Sequence, residues 1–239
     1  MSFILEICAG SIESALEAQK GGADRIELCD NLLMGGTSPS FGMISVCKKL
    51  IHIPIFPIIR PRGGDFVYSE EEFEAMKEDI LCCKRLGCEG VVLGILRQNG
   101  SIDIERCAEL ISMARPMQVS FHRAFDRCNN FQKGLEDIIS LGCERLLTSG
   151  GELQAIGALE RIKALVLQSK DRISIMPGSG ITEKNLLQIL NETGANEFHS
   201  TAKRRVELSP DPINKTDKTP EFSFETSSEI VSKMKTLLS

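Results

Sequence analysis

The chain has 239 residues, of which 42% are hydrophobic, and it carries a net charge of -5 at neutral pH. This length is enough to bury one large core, and an acidic balance without a basic run argues against a partner made of nucleic acid. No apolar run approaches the ~18 residues of a membrane span. The first residues enter a strand pattern directly, so we expect no signal peptide and a cytoplasmic protein, with presence in the nucleus left open.

The chain has nine cysteines, an odd number, and they show neither the spacing of a disulfide framework nor that of a zinc site. In a reducing cytosol such residues remain thiols. Most of them are therefore expected to serve as small buried apolar groups.

A short phrase beginning with glycine returns along the chain and marks where strands begin. It reads Gly-Gly-Ala-Asp-Arg-Ile-Glu-Leu at 21–28, and related phrases follow at 87–93, 142–147 and 194–199. In each copy a glycine ends a helix-like stretch and a strand follows. The copies lie roughly 50–65 residues apart, the length of about two βα units in a barrel of ~250 residues. The repeat therefore predicts an α/β fold, a single-domain (β/α)8 TIM barrel over residues 1–239, with the copies at its even-numbered strands.

Eight predicted strands alternate with helices along the chain. Ser38 is expected to begin the second helix, and Ser69 to form a capping box with Glu72 at the third. The polar, proline-containing segment 203–225 is expected to be a loop, followed by a last helix at 227–238. The strands are predicted at 5–8, 25–29, 55–59, 91–93, 118–122, 145–148, 173–176 and 197–199.

Alternation along these strands separates the inside of the barrel from the outside. In the first strand, Leu5 and Ile7 alternate with Glu6 and Cys8. Apolar residues must face the surrounding helices, whereas the interior near the mouth can be polar. Because such barrels carry their sites at the carboxyl ends of the strands, we expect the polar set to meet there. The candidate catalytic residues are Glu6, Glu27, His122 and His199, and the candidate residues for binding a ligand or an anion are Arg25, Arg60, Arg62, Arg123 and Asp126.

Two interpretations of this polar set stay open. The deeper residues, such as Glu6 and Arg25, could form an internal layer of ion pairs. For Arg60, Arg62, His122 and His199, all at strand ends, the position favours function. Two converging histidines are typical of an acid/base pair or a ligand pair.

Glycine-rich loops follow the sixth and seventh predicted strands. Glycines let backbone N–H groups approach an anion closely, and barrels often build phosphate sites from these late loops. The alternative is that the glycines only make tight turns. The residues expected to supply donors to a small anionic ligand are Gly150, Gly151, Gly178, Ser179 and Gly180.

Two thiols, Cys8 and Cys29, end the first two strands. Neighbouring strands lie about 4.8 Å apart, so both sulfurs could reach one ion. Two thiolates suit Cu(I), which is a soft ion. The alternative, two buried apolar cysteines, is favoured by the sequence alone.

Several motifs together resemble the CutC family over nearly the whole chain. The resemblance implies a (β/α)8 barrel, a cytoplasmic homo-oligomer (dimer or tetramer) and a role in copper homeostasis with Cu(I) binding. The cysteine pair proposed as copper ligands in animal members matches Cys8 and Cys29. No nucleotide cofactor is expected. The motifs are Glu6-Ile7-Cys8, the phrase from Gly21 to Cys29, Gly35-Gly36-Thr37-Ser38-Pro39-Ser40, Ile59-Arg60-Pro61-Arg62-Gly63-Gly64-Asp65-Phe66, Phe121-His122-Arg123-Ala124-Phe125-Asp126, Leu147-Thr148-Ser149-Gly150-Gly151, Met176-Pro177-Gly178-Ser179-Gly180-Ile181 and Glu197-Phe198-His199.

Three functions remain open at this stage. The first is a copper homeostasis protein that binds Cu(I). The second is a barrel enzyme, a lyase, isomerase or hydrolase, that acts on a small anionic substrate with or without a phosphate group, because copper storage needs no glutamates, arginines or histidines. The third is a scaffold that only oligomerises.

Overall fold

The computed structural model describes residues 3–207 and 222–239, and within them eight parallel strands alternate with helices that pack outside the strands. The elements in chain order are β1 (Ile4–Ala9), α1 (Ile12–Lys20), β2 (Arg25–Leu28), α2 (Phe41–Leu50), β3 (Ile55–Pro57), α3 (Glu70–Arg85), β4 (Gly90–Leu93), α4 (Ile104–Ala114), β5 (Gln118–Phe121), α5 (Phe131–Ser140), β6 (Arg145–Thr148), α6 (Leu159–Ser169), β7 (Ser174–Pro177), α7 (Leu186–Thr193), β8 (Glu197–Ser200), β9 (Lys203–Glu207), β10 (Phe222–Thr226) and α8 (Ser228–Leu237).

The eight parallel strands surround one interior. They form two four-stranded sheets, in the orders β3-β2-β1-β8 and β4-β5-β6-β7. A pairing of Ile58 with Val92 joins β3 to β4, and β7 lies beside β8. The α/β prediction of a (β/α)8 TIM barrel is therefore confirmed. In the described ranges, 3–207 and 222–239, no helix has both the length and the apolar character needed to cross a bilayer.

The repeated phrase sets the even-numbered strands, as predicted. Gly22, Gly87, Gly142 and Gly194 have φ between 72° and 88°, a conformation that favours glycine. In every copy the strand begins three residues later, which gives the starts of β2, β4, β6 and β8.

The residue two positions after each of these glycines also fixes the preceding odd-numbered strand. Three of the four are carboxylates that accept a backbone N–H bond from the start of that strand, and the fourth is an asparagine beside β7. The bonds are Leu5 N to Asp24 Oδ2 at 2.7 Å, Ile55 N to Glu89 Oε2 at 2.9 Å, Val119 N to Glu144 Oε2 at 2.7 Å, and Ser174 Oγ to Asn196 Oδ1 at 3.4 Å.

The capping box at Ser69 and Glu72 is confirmed, but the predicted start of the second helix is wrong. Helix α2 begins after Ser40, whose hydroxyl accepts a bond from the backbone N–H of Met43. Ser38 cannot cap this helix because its hydroxyl accepts the backbone N–H of Arg60 at 3.0 Å.

The segment 203–225, predicted to be a loop, contains ordered strands at both ends. Strands β9 and β10 pair antiparallel, and cations lie over aromatic rings across the pair. Lys203 Nζ is 4.5 Å from the ring centre of Phe224, and the guanidinium of Arg205 is 4.1 Å from that of Phe222. These contacts stabilise the two strands, although their polar composition lacks the apolar alternation by which a strand is predicted. Residues 208–221 lie outside the described part.

At the bottom of the barrel interior, the aromatic ring of Phe56 lies between two arginine side chains. The guanidinium groups of Arg25 and Arg145 lie 5.2 and 5.3 Å from the ring centre of Phe56. A Cβ on Gly90 would lie 2.3 Å from this ring, so the absence of a side chain in β4 makes room for it. The polar residues of alternating strand positions therefore do point inward.

Candidate functional site at the barrel mouth

The pairing of β1 with both of its neighbours assembles the deepest part of the site. Glu6 lies opposite Arg25 on β2 and opposite His199 on β8. One position further along this face, Cys8 lies opposite Glu27. Inward residues of three consecutive strands are thus brought side by side.

The charged side chains deepest in the barrel interior pair with one another. Arg25 donates to Glu6 at 2.5 Å and to Glu197 at 2.7 Å, and Arg145 donates to Glu197 at 3.0 Å. Burial disfavours an ionised Glu6, but Arg25 and His199 outweigh it and lower the pKa of Glu6 to about 2. Arg25, one of the predicted ligand-binding residues, is fully engaged here, as the ion-pair interpretation of the sequence requires.

A chain of proton-carrying groups leads from these ion pairs to the mouth. Nδ1 of His199 is 2.7 Å from Glu6 Oε1, and Nε2 is 3.3 Å from Glu27 Oε2. Burial alone would lower the pKa of His199, but Glu27 and Glu6 raise it above its ordinary value. Burial also raises the pKa of Glu27. The two side chains can therefore share a proton.

The two strand-end thiols are in contact. Sγ of Cys8 is 3.4 Å from Sγ of Cys29, which also lies 3.7 Å from the carbonyl oxygen of Ala9. Contact with Cys29, burial and the nearby Glu27 raise the pKa of the Cys8 thiol well above its ordinary value. Cys8 reaches the cavity, whereas Cys29 is completely buried behind it.

One group of donors in the described residues has the spacing of a metal site. Single ligand atoms of Cys8, Glu27 and His199 all lie within 4.8 Å of one another. With Cys29 behind Cys8, this corner offers two sulfurs, an imidazole nitrogen and a carboxylate oxygen. Sulfur favours soft ions such as Cu(I), whereas the nitrogen and oxygen suit harder ones.

A cavity of about 800 Å³ opens above this corner. Of the predicted site residues, its wall includes Cys8, Glu27, Arg60, His122, Arg123, Ser179, Gly180 and His199. Their common mouth is the geometry on which the sequence-based hypotheses depended. The volume lies within the ~300–1,000 Å³ range of small-molecule sites.

Arg60 and His122 lie on the wall formed by the ends of β3 and β5. Arg60 is buried, and its terminal nitrogens donate to the backbone oxygens of Met34, Gly36 and Gly64. His122 is also buried. Burial and the nearby Arg60 lower its pKa to about 3, so the ring is neutral at physiological pH.

Several predicted anion-binding groups bind the protein itself. Arg62 lies outside the cavity wall and pairs with Glu72 at 2.5 Å and Asp65 at 3.0 Å, because the chain turns after β3. The carboxylate of Asp126 takes the place expected for a ligand in the loop after β6. It accepts the N–H groups of Ser149 and Gly151 and pairs with Arg123 at 2.8 Å.

The remaining predicted glycines divide in the same way. Gly150 donates its N–H to Thr148 Oγ1 at 2.8 Å. Gly178 donates its N–H to the Thr148 carbonyl. A Cβ on Gly178 would lie 2.4 Å from Leu147 and 3.3 Å from His199, so the glycine makes room mainly for the Leu147 side chain. Ser179 and Gly180, with φ of 77° and 71°, do line the cavity.

The sequence-based prediction missed Lys203 and Gln154, which also line the cavity. Lys203 was hidden in the segment interpreted as a loop, although its position four residues after His199 was a signal. Gln154 comes from the stretch between β6 and α6, and no sequence pattern marks it.

Residues 3–204 match the sequence profile of the CutC family. The chain belongs to the CutC family. A mouse protein named "Copper homeostasis protein cutC homolog" is 51% identical over 84% of this chain and 74% of its own length. A CutC family protein of Xylella fastidiosa is 51% identical over 83% of this chain and 74% of its own.

A solved CutC structure has the same fold. The putative copper homeostasis protein CutC of Streptococcus agalactiae has a TM-score of 0.80 and 37% identity, over 83% of this chain and 98% of its own. A thiamine phosphate pyrophosphorylase of Pyrococcus furiosus has a TM-score of 0.61 over 99% of this chain and 95% of its own. Its identity is only 13%, so it supports the barrel fold alone.

Proposed function

We propose that this CutC chain binds a single Cu(I) ion as cargo through Cys8 and Cys29 and takes part in copper homeostasis. The observation that carries the proposal is the 3.4 Å separation of the two sulfurs at the base of an open cavity. The copper-related names of its CutC relatives agree with this choice of ion.

The charges around the two thiols favour a cation. Contact with Cys29, burial and Glu27 raise the pKa of Cys8, and burial and Glu6 raise the pKa of Glu27. Negative charges on these groups therefore repel one another in this buried corner. A monovalent cation would relieve this repulsion, and the thiols would release protons as it binds. His199 is hydrogen-bonded to Glu6 and lies 3.3 Å from Glu27, so the sulfurs are the donors left for a soft ion.

Titration with Cu(I) without oxygen, against a coloured chelator of known affinity, tests the proposal. The wild type should take one ion per chain from the chelator, and the Cys8→Ser, Cys29→Ser double variant should take none. The matched control is Cys83→Ser, which breaks another close pair of thiols, Cys83 with Cys88, and should keep the ion. Unchanged stoichiometry in the double variant would remove the site.

We also propose a second function for the same mouth, the binding and conversion of a small anionic molecule. The specific observation is the cavity, whose volume of about 800 Å³ far exceeds the space of one ion. Arg60 and Lys203 supply positive charge on its wall, and the Glu27–His199 pair can move a proton. Lyase, isomerase and hydrolase chemistry all remain compatible with these groups.

Calorimetric titration with ethyl phosphate tests this second function. Binding in the millimolar range, weakened by Lys203→Gln, is expected. No heat of binding at about 10 mM ligand would contradict it.

The compartment and the assembly are proposals as well. All nine cysteines are free thiols, which supports a reducing compartment such as the cytoplasm. Leu33 and Met34, between β2 and α2, and Phe41, the first residue of α2, expose apolar surface, which supports a homo-oligomer. Light scattering should give two or four times the chain mass of 26.3 kDa, and a monomer would contradict the assembly.

A further inference from the structure

Two buried N–H groups beside the cavity have no acceptor among the residues that the structure describes. They are Nε of Arg60 and Nε2 of His122. Both residues line the cavity, and each is 3% exposed. A buried donor without a partner is costly, and proteins rarely leave one unpaired. Within residues 3–207 and 222–239, the hydroxyls of Tyr68, which lies beside Arg60, and of Ser120 are also buried without a partner, and neither accepts from these N–H groups. The wall between the ends of β3 and β5 therefore holds two unpaired N–H donors.

The contacts of His122 show that its free nitrogen is a donor. Nδ1 accepts the backbone N–H of Ala124 at 3.2 Å, so the proton of the neutral ring is on Nε2. The low pKa of the ring, caused by burial and by Arg60, agrees with this neutral tautomer. A Cβ on Gly94 would lie 2.7 Å from Nδ1, so that edge is closed by backbone. Nε2 is the nitrogen left for a ligand.

The charge of Arg60 also lacks a partner in the described part of the chain. Its terminal nitrogens bind only the neutral backbone oxygens of Met34, Gly36 and Gly64, and its guanidinium stacks 4.8 Å from the ring centre of Phe66. Buried arginines are normally paired with an anion. His122 is neutral and cannot provide one, so the missing acceptor carries negative charge.

Two free donors match a group with two acceptor oxygens. A carboxylate has this arrangement, whereas a phosphate presents three oxygens and is usually held by more donors. We propose that Arg60 and His122 form a subsite for the carboxylate of a small ligand in the cavity. This inference rests on the second function proposed above, the binding of a small anionic molecule, and it names the group by which that molecule is recognised.

The test compares two probes that differ only at this group: 2-phosphoglycolate, which has a carboxylate, and ethyl phosphate, which has a methyl group in its place. Calorimetry should show that the wild type binds 2-phosphoglycolate at least about tenfold more tightly. In His122→Phe the preference should fall below about threefold, while His122→Gln, which keeps an N–H donor, should retain part of it. Arg127→Gln removes an exposed cation near Phe66 and should leave the preference unchanged.

Nitrogen NMR of histidine-labelled wild type gives a readout that needs no variant. We expect the proton of His122 on Nε2, no titration of this ring near pH 6.5, and a shift of the Nε2 resonance with 2-phosphoglycolate but not with ethyl phosphate. A proton on Nδ1, or a ring that titrates near pH 6.5, overturns the subsite.

The binding outcomes separate the two proposals. Equal affinity for both probes overturns the carboxylate subsite and leaves the anionic-ligand function standing. No binding of either probe overturns both. An unchanged preference in His122→Phe places the carboxylate elsewhere and overturns the subsite.

Discussion

Glu6 lies opposite His199 where β1 pairs with β8, and its Oε1 is 2.7 Å from Nδ1 of the imidazole. Its other oxygen binds Arg25. This one carboxylate therefore links the deep ion pairs to the mouth and turns Nε2 of His199 toward Glu27. Buried carboxylates hold histidines in this way in many catalytic and metal sites.

Replacing this carboxylate should be costly. Glu6→Gln keeps the shape but leaves the buried Arg25 and Arg145 to share one carboxylate, Glu197, so we expect the free energy of unfolding to fall by about 3–5 kcal/mol. Urea denaturation measures this loss, and NMR should show a lower pKa for His199. The control Glu229→Gln removes an exposed partner of Lys233 and should leave the urea midpoint nearly unchanged. A loss in Glu6→Gln as small as the control's would contradict the linkage.

The floor of the barrel predicts a second effect. Gly90→Ala would place a Cβ 2.3 Å from the Phe56 ring between its two arginines. Overpacking of this kind costs about 1–3 kcal/mol, which thermal unfolding can measure. The matched control is Gly157→Ala, whose nearest contact is 3.8 Å away, and which should be nearly neutral. Equal melting temperatures for the two variants would contradict the close packing of Phe56.

Much of the fold could be predicted because its signals are local. The repeated glycine phrase marks the even-numbered strands, since a positive φ and a strand start leave a fixed pattern. The prediction that Ser38 begins the second helix was wrong because the sequence does not show that its hydroxyl accepts the backbone N–H of Arg60. The strands β9 and β10 could not be predicted from apolar alternation, because cations over aromatic rings stabilise them.

The site could be predicted only in part. Strand alternation predicts which side chains point inward, and Glu6, Cys8 and Glu27 do meet inside the barrel. Beyond the end of a strand, the direction in which a side chain points depends on contacts within the loop, which a sequence does not reveal. Asp126 binds the N–H groups of the loop after β6, and Arg62 turns to Glu72.

The low pKa of His122 predicts sensitivity to acid. Its pKa is about 3 in the folded chain against 6.5 ordinarily, so its stabilising contribution is present above pH 6.5 and is lost as the pH falls toward 3. Each pH unit in that window costs about 1.4 kcal/mol. His122→Gln should therefore lose less stability than the wild type between pH 6.5 and 4.5 in urea titrations. Equal losses of unfolding free energy in the wild type and in His122→Gln would show that the His122 ring does not stay neutral in the folded chain.

The affinity for Cu(I) should rise as the pH rises. The raised pKa of Cys8 keeps its thiol protonated at neutral pH, so binding must release that proton. Affinity should rise by about tenfold per pH unit for each proton released. Chelator competition at several pH values measures this slope. A flat profile would mean that no thiol proton is displaced.

X-ray absorption at the copper edge of the chain loaded with one Cu(I) ion tests the thiol pair most directly. Two sulfur neighbours, without a nearby nitrogen or oxygen ligand, are the expected shell for Cys8 and Cys29. A shell with one sulfur and nitrogen or oxygen neighbours would place the ion on Cys8, Glu27 and His199 instead, and would contradict the site proposed here.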